Sequence, residues 1–290
     1  MHGCRLVLAL VALLGLTGCK TVSISERAFF KPIAADVKMP RVEAGSQPIS
    51  FTAPDGVVLR GFWVADPAAR ATVLFFNGSG GLAEDVAPEL VAWAPKLHVN
   101  LLAVDYRGTG RSEGKGSIAA LKSDTHAIIT QVRAFDAKGL DRLVLMGSSM
   151  GAMAALAIAA EKRDDYAAVI ADSAPTNVSD WVAANMPWFV KPFVKVRIEP
   201  SMAALDAERD VARFQVPLLL TVGDADTITP AKFARRLLAA STSPQKELHV
   251  FPGAEHAGSP DKPEYVIVLA AFLSRALAAP PAPAPPSTDR

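Results

Sequence analysis

The pentapeptide Gly147-Ser148-Ser149-Met150-Gly151 constrains this chain more than any other stretch. It follows the apolar run Leu143 to Met146, which reads as a buried strand, and precedes Ala152-Met-Ala-Ala-Leu-Ala-Ile-Ala-Ala160, rich in strong helix formers. A strand that turns sharply into a helix around G-x-S-x-G is a nucleophile elbow. The flanking glycines are needed there because a Cβ would strike the neighbouring strand and helix. Ser149 is therefore the candidate nucleophile.

A hydroxyl needs a base, and the base needs an orienting acid. Val216 to Val222 reads as a strand and runs into Gly223-Asp224-Ala225-Asp226, which supplies two carboxylates at a strand's carboxyl end. The next strand, Glu247 to Phe251, runs into Pro252-Gly253-Ala254-Glu255-His256-Ala257-Gly258, a loop able to carry an imidazole to Ser149. Of the other histidines, His2 lies in a targeting segment, His98 precedes a strand, His126 falls in a helical pattern and His249 is inside a strand. His256 is left as the candidate base.

With these residues in the order Ser, Asp, His, the chain resembles the α/β-hydrolase superfamily, and within it the serine-hydrolase branch of abhydrolase-domain depalmitoylases and bacterial esterases. Two further segments carry the resemblance. Asn77-Gly78-Ser79-Gly80-Gly81 stands where the family has His-Gly-x-Gly-Gly, and Asp105-Tyr-Arg-Gly-Thr-Gly-Arg-Ser-Glu-Gly114 resembles its D-Y-R-G-x-G-x-S-x-G loop. The resemblance spans roughly residues 49 to 275. It implies that the acid is the last Asp of the G-x-x-D turn, Asp226 rather than Asp224, with Asp172 the alternative because some hydrolases carry the acid there. It also implies an oxyanion hole from the backbone N–H groups of Met150 and Ser79. Asn77 departs from the family's His; Asn can bond local backbone and tolerates unusual dihedrals.

The implied reaction is hydrolysis of a carboxylic ester or thioester, with a small-molecule or lipid-like acyl substrate. Peptidases and acyltransferases use the same machinery, and a non-catalytic envelope lipoprotein could use the same scaffold. Other patterns fit known sites poorly. Gly108-x-Gly110 with Gly114 has the wrong spacing for a dinucleotide fingerprint, and Gly114-Lys115-Gly116-Ser117 lacks the upstream glycine of a phosphate-binding loop. Asp105, Arg107 and Ser112 read as a structural network, and no cofactor or metal is expected.

Met1 to Arg5 is a short positive segment and Leu6 to Leu16 an apolar one, too short for a hydrocarbon core that needs about 20 residues. Leu16-Thr17-Gly18-Cys19 resembles a bacterial lipobox, which implies signal cleavage after residue 18 and a lipid on Cys19. The resemblance, with Lys20 following, places the protein in the cell envelope, on the periplasmic face of the outer membrane. Cys4 and Cys19 are the only cysteines, so a processed chain forms no intramolecular disulfide and holds no cysteine-based metal cluster. A net charge of +1 gives no footprint for nucleic acid.

Residues 20 to about 47, with Pro32, Pro40 and scattered charges, read as a tether that could reach about 90 Å when extended. Strands are expected at 49–52, 57–64, 71–76, 101–104, 143–146, 167–171, 218–222 and 247–251. Helices are expected at about 86–97, 118–138, 151–163, 231–240 and 263–278. That alternation predicts an α/β-hydrolase domain over 48–279, with an eight-stranded, mostly parallel sheet flanked by helices. A cap of about 40 residues, 173–214, would follow the sixth strand. Its Trp181, Trp188, Phe189 and Phe193, interleaved with Lys191, Lys195 and Arg197, suit either a lid that lines an acyl pocket and touches lipid or ordinary helical packing. Residues 280–290 are proline-rich and read as a disordered tail.

Overall fold

The computed structural model describes residues 20–31, 33–34, 44–135, 142–161 and 165–278. Cys19, the apolar segment before it and the proline-rich tail lie outside the described residues. The strands are β1 (Lys20–Ile24), β2 (Ile33–Ala34), β3 (Gln47–Thr52), β4 (Val58–Val64), β5 (Thr72–Phe76), β6 (Asn100–Val104), β7 (Thr109–Gly110), β8 (Leu143–Ser148), β9 (Ala168–Asp172), β10 (Val194–Ile198), β11 (Leu218–Gly223) and β12 (Lys246–Phe251). The helices are α1 (Ala83–Leu97), α2 (Ile118–Phe135), α3 (Met150–Glu161), α4 (Val178–Asn185), α5 (Pro200–Ala203), α6 (Ala207–Val211), α7 (Ala231–Ala240) and α8 (Tyr265–Ala276).

Eight strands form one sheet in the order β12-β11-β9-β8-β5-β6-β4-β3. β4 pairs antiparallel with both β3 and β6, and every other pairing in this sheet is parallel. Both faces are covered, which explains why the central strands read as continuous apolar runs rather than alternating ones. Leu74, Leu145, Val169 and Leu220 face one way with residues of α2, α3 and α7. Val73, Val144, Met146, Ile170 and Leu219 face the other, against α1 and α8. All residues of α3 from Gly151 to Ala160 are buried, so this helix is apolar on every side, as a helix enclosed by sheet and neighbours must be.

The tether expected over residues 20–47 is not what the described part of that segment forms. β1 pairs in parallel with β10 in the cap, from Lys20 opposite Val194 to Ile24 opposite Ile198. Phe29 and Phe30 are buried, and Phe30 meets the Tyr106 ring edge-on at 5.7 Å. Each buried phenyl contributes about 1.5–3 kcal/mol, enough to hold this strap down despite its polar composition. The cap itself consists of α4, β10, α5 and α6 between β9 and β11.

The loop after β6 is held by polar contacts. Asp105 Oδ1 accepts the Ala83 N–H at 2.7 Å, at the start of α1, and its main-chain oxygen accepts the Ser112 hydroxyl at 2.7 Å. Gly110 has φ +53° and lies so close to Asp105 that a Cβ there would sit 2.1 Å from Oδ2. Arg107 spans Asp124 and Asp55. Burial pushes the Asp105 carboxyl up to about 6, against the opposing pull of the Ala83 and Arg111 N–H groups. The folded protein therefore binds this proton more readily than the unfolded chain, whose Asp titrates near 3.8. The stability that this group contributes is complete below about pH 4 and is lost as pH rises through about 6. In urea titrations from pH 4 to 7, the parent should lose up to roughly 3 kcal/mol relative to Asp105→Asn. Parallel profiles for the two proteins would show that Asp105 carries no such proton.

Candidate active site

The elbow follows from close packing of backbone on backbone. β8 ends at Ser148 and α3 begins at Met150, which leaves Ser149 alone at the turn with φ +56°. That left-handed conformation costs an ordinary residue roughly 1–2 kcal/mol, and the Ser149 N–H donates to the Asp172 main-chain oxygen at 2.8 Å. A Cβ on Gly147 would lie 2.3 Å from the Gly151 oxygen, and one on Gly151 would lie 2.0 Å from the Phe76 oxygen. No real Cβ comes that close to main-chain atoms, so both positions require glycine. The result is a half-buried, accessible hydroxyl at the carboxyl end of a central strand, where open α/β sheets place their ligands.

Ser149, His256 and Asp226 are brought together. His256 Nε2 lies 3.0 Å from Ser149 Oγ, and Nδ1 lies 2.9 Å from Asp226 Oδ2. The His256 loop leaves β12 through Gly253 at φ +64° and closes through Ala257 at φ +55°, whose N–H donates to Ser173 Oγ at 3.2 Å. It can lie against β11 because Gly223 has no Cβ; one would sit 1.9 Å from the Ala254 oxygen.

The three aspartates considered from the sequence have different surroundings. Asp226 is buried, with Oδ1 accepting the N–H groups of Ile228 and Thr229 at 2.8 and 2.7 Å. Its Oδ2 accepts the Thr229 hydroxyl at 2.6 Å and faces the imidazole. Burial would raise its pKa, yet the His256 contact together with the Thr229 bonds holds it below the usual carboxylate value. Asp224 instead accepts the Gly253 N–H at 2.7 Å and pins the two loops to each other. Asp172 is buried beneath the elbow and accepts the Thr221 hydroxyl at 2.7 Å. Its pKa is raised, chiefly by burial, which biases it toward the neutral acid, the opposite of Asp226.

The Asn77 to Gly81 loop lies directly against Ser149, with a hypothetical Gly78 Cβ 3.6 Å from the serine Cβ. Met150 opens α3, and first-turn N–H groups have no acceptor within their helix. Ser79 is exposed, and its hydroxyl donates to the carbonyls of Ala28 and Phe29 at 2.9 and 3.3 Å, so the N-terminal strap braces this loop. Asn77 is buried, but among the described residues its amide has no hydrogen-bond partner, contrary to the expectation that it bonds local backbone. The loop is tied instead by the Tyr106 hydroxyl, which donates to the Asn77 main-chain oxygen at 2.8 Å.

Two contributors are absent from the sequence reading. Thr229 bonds Asp226 and lies 3.0 Å from His256 Nδ1; its position three residues after an Asp in a turn was the available signal. Asn185 of the cap donates to the Ile228 oxygen at 2.9 Å and couples α4 to the acid's loop, a contact without any local sequence signal. Trp188 and Phe189 of the cap are exposed.

Comparison with known proteins agrees with this architecture. The chain is similar to the uncharacterized protein YfhR of Escherichia coli K12, 33% identical over 217 residues that cover 73% of each chain. It superposes on the esterase Pf2001 of Pyrococcus furiosus with a TM-score of 0.66 at 22% identity, covering 85% of this chain and 98% of that one. It superposes on Est1E of Butyrivibrio proteoclasticus with a TM-score of 0.62 at 14% identity, covering 80% and 99%. These two structures share the α/β-hydrolase fold with it. The family of serine aminopeptidases, S33, matches residues 67–202 and 191–262, and the chain belongs to that family of α/β-hydrolases.

Proposed function

We propose that this protein is a serine hydrolase that cleaves carboxylic esters or thioesters through an acyl-enzyme. The observation that carries the reading is the unbroken relay from Ser149 Oγ through His256 to Asp226, with contacts of 3.0 and 2.9 Å. Ser149 Oγ attacks the acyl carbonyl while His256 Nε2 takes its proton, and the ionised Asp226 stabilises the imidazolium at Nδ1. The N–H groups of Met150 and Ser79 hold the developing oxyanion. His256 then returns the proton to the departing alcohol or thiol. Water, activated by the same imidazole, releases the acid and restores Ser149.

A peptidase reading has its own support in the description of the family, and the esterase reading has the solved relatives named above. Because the same groups serve both, a panel of matched ester, thioester and aminoacyl-amide substrates separates them. We further place the protein in the bacterial envelope as a lipoprotein, with residues 1–18 as signal peptide and Cys19 acylated. The support is the sequence Leu16-Thr17-Gly18-Cys19 after a short apolar segment. Uptake of labelled palmitate by the parent and not by Cys19→Ser tests this.

A fluorophosphonate probe should label the parent at Ser149 and leave Ser149→Ala unlabelled. Hydrolysis of a small activated ester should fall on the order of 10⁴- to 10⁶-fold in that variant. Full labelling of a folded Ser149→Ala protein would move the nucleophile elsewhere.

Asp226→Asn should lower kcat by about 10³- to 10⁴-fold, because the amide favours the wrong imidazole tautomer. Asp172→Asn should be far milder, since the amide resembles the neutral acid that burial favours there. A reversed ranking of the two would assign the acid's role to Asp172.

A further inference from the structure

Among the described residues, the exposed large apolar side chains are Trp188, Phe189 and Phe193, at 81%, 53% and 53% exposure, and Ile267 on α8. The first three lie within six positions of the cap, just before β10, and the Trp188 and Phe189 rings meet edge-on at 6.0 Å. From Trp181 to Ile198 the sequence contains no acidic residue, while Lys191, Lys195 and Arg197 are all exposed. Among the described residues of the two strands and the residues flanking them, the acidic groups are Glu26 and Glu199, at the other end of the β1–β10 ribbon. There the Glu26 carboxylate accepts the Ile118 N–H, and the Glu199 carboxylate lies 3.4 Å from the Glu26 N–H. The aromatic side chains and Lys191 thus lie at the end where β1 begins, while Lys195 and Arg197 follow along β10, opposite Thr21 and Ser23.

That end is also where the chain preceding the described residues joins the domain. Lys20 is paired with Val194, the residue after Phe193, and whatever precedes Lys20 is attached one Cα spacing of about 3.8 Å away. The preceding 19 residues include the basic Met1–Arg5 and the apolar Leu6–Leu16. Aromatic rings prefer the boundary between headgroups and acyl chains, and lysine and arginine beside them are drawn to anionic headgroups. We propose that Trp188, Phe189 and Phe193, flanked by Lys191, Lys195 and Arg197, seat the cap on the surface of an anionic phospholipid bilayer. The proposal rests on the envelope reading for which membrane this is. It deepens that reading, since the domain would lie against the bilayer instead of ranging from it on a tether.

The test uses the full chain carrying Cys19→Ser, so that no acyl group contributes, and vesicles of phosphatidylcholine alone or mixed with phosphatidylglycerol. The apolar N-terminal segment is common to every variant and cancels in the comparison. In sedimentation, the triple change Trp188→Ala, Phe189→Ala, Phe193→Ala should weaken partition onto mixed vesicles at least ten-fold. Lys191→Gln, Lys195→Gln, Arg197→Gln should abolish the preference for phosphatidylglycerol. Brominated lipid should quench the parent's tryptophan emission by a component missing from Trp188→Phe. Circular dichroism and urea midpoints, expected to be unchanged, check the fold. Unaltered partition of the aromatic variant, or a Trp188 emission untouched by brominated lipid, overturns the proposal. So does a concentration-dependent mass in light scattering that only the aromatic variant loses, which would assign the patch to a second copy of the chain. Palmitate labelling of the unmodified protein tests the anchor separately. Patch binding without lipidation would sink the envelope reading and leave the bilayer contact standing.

Discussion

Everything near Ser149 depends on how closely α3 approaches the sheet. The Phe76 carbonyl occupies the space that a Cβ on Gly151 would need, and the Gly151 carbonyl occupies that of Gly147. Two backbones in direct contact leave the chain no route from β8 into α3 except a left-handed Ser149. The small side chains along α3 extend that contact, since Ala152, Ala154, Ala155, Ala157, Ala159 and Ala160 all lie buried. Exposure of the hydroxyl is thus a product of tight packing below it. The unfavourable dihedral is held by the surrounding core together with the Ser149 N–H bond to the Asp172 main-chain oxygen.

The carboxylates show how position in one sheet decides chemistry. Asp226, in a turn rich in N–H donors and beside an imidazole, is kept ionised in spite of its burial. Asp172 lies one strand away with hydroxyl partners, and desolvation prevails there. Asp224, two residues before Asp226, is spent on a loop contact. Residue type alone does not separate the three. What separates them is the kind of partner each meets: main-chain N–H groups and the His256 imidazole at Asp226, hydroxyls in a fully buried position at Asp172, and the Gly253 N–H at Asp224.

Much of this was legible in the sequence for physical reasons. Strands buried on both faces read as apolar runs, and all eight members of the main sheet were placed within a few residues of their observed limits. The helix expected at 231–240 has those bounds, because its amphipathic pattern is local. The elbow was legible because its glycine spacing is a local steric requirement. Pairing across long separations was not. β1 resembles a polar linker, Lys-Thr-Val-Ser-Ile, until β10 arrives 174 positions later to fill its edge. The choice of Asp226 over Asp224 came from family resemblance, and the brace from Ala28 and Phe29 to Ser79 has no signature in either segment.

The β1–β10 pairing makes the chain's beginning a structural member of its cap. Among the described residues β10 has a single neighbouring strand, so removing residues 20–24 would leave both of its edges open. During synthesis β1 emerges long before its partner, and it must wait, unpaired, until the cap has been made. An N-terminal fusion or a protease cut within the strap would therefore act on a region far away in sequence. In a crowded preparation the vacated edge of β10 could accept the equivalent strand of a second molecule, turning a trimmed terminus into a route to strand exchange.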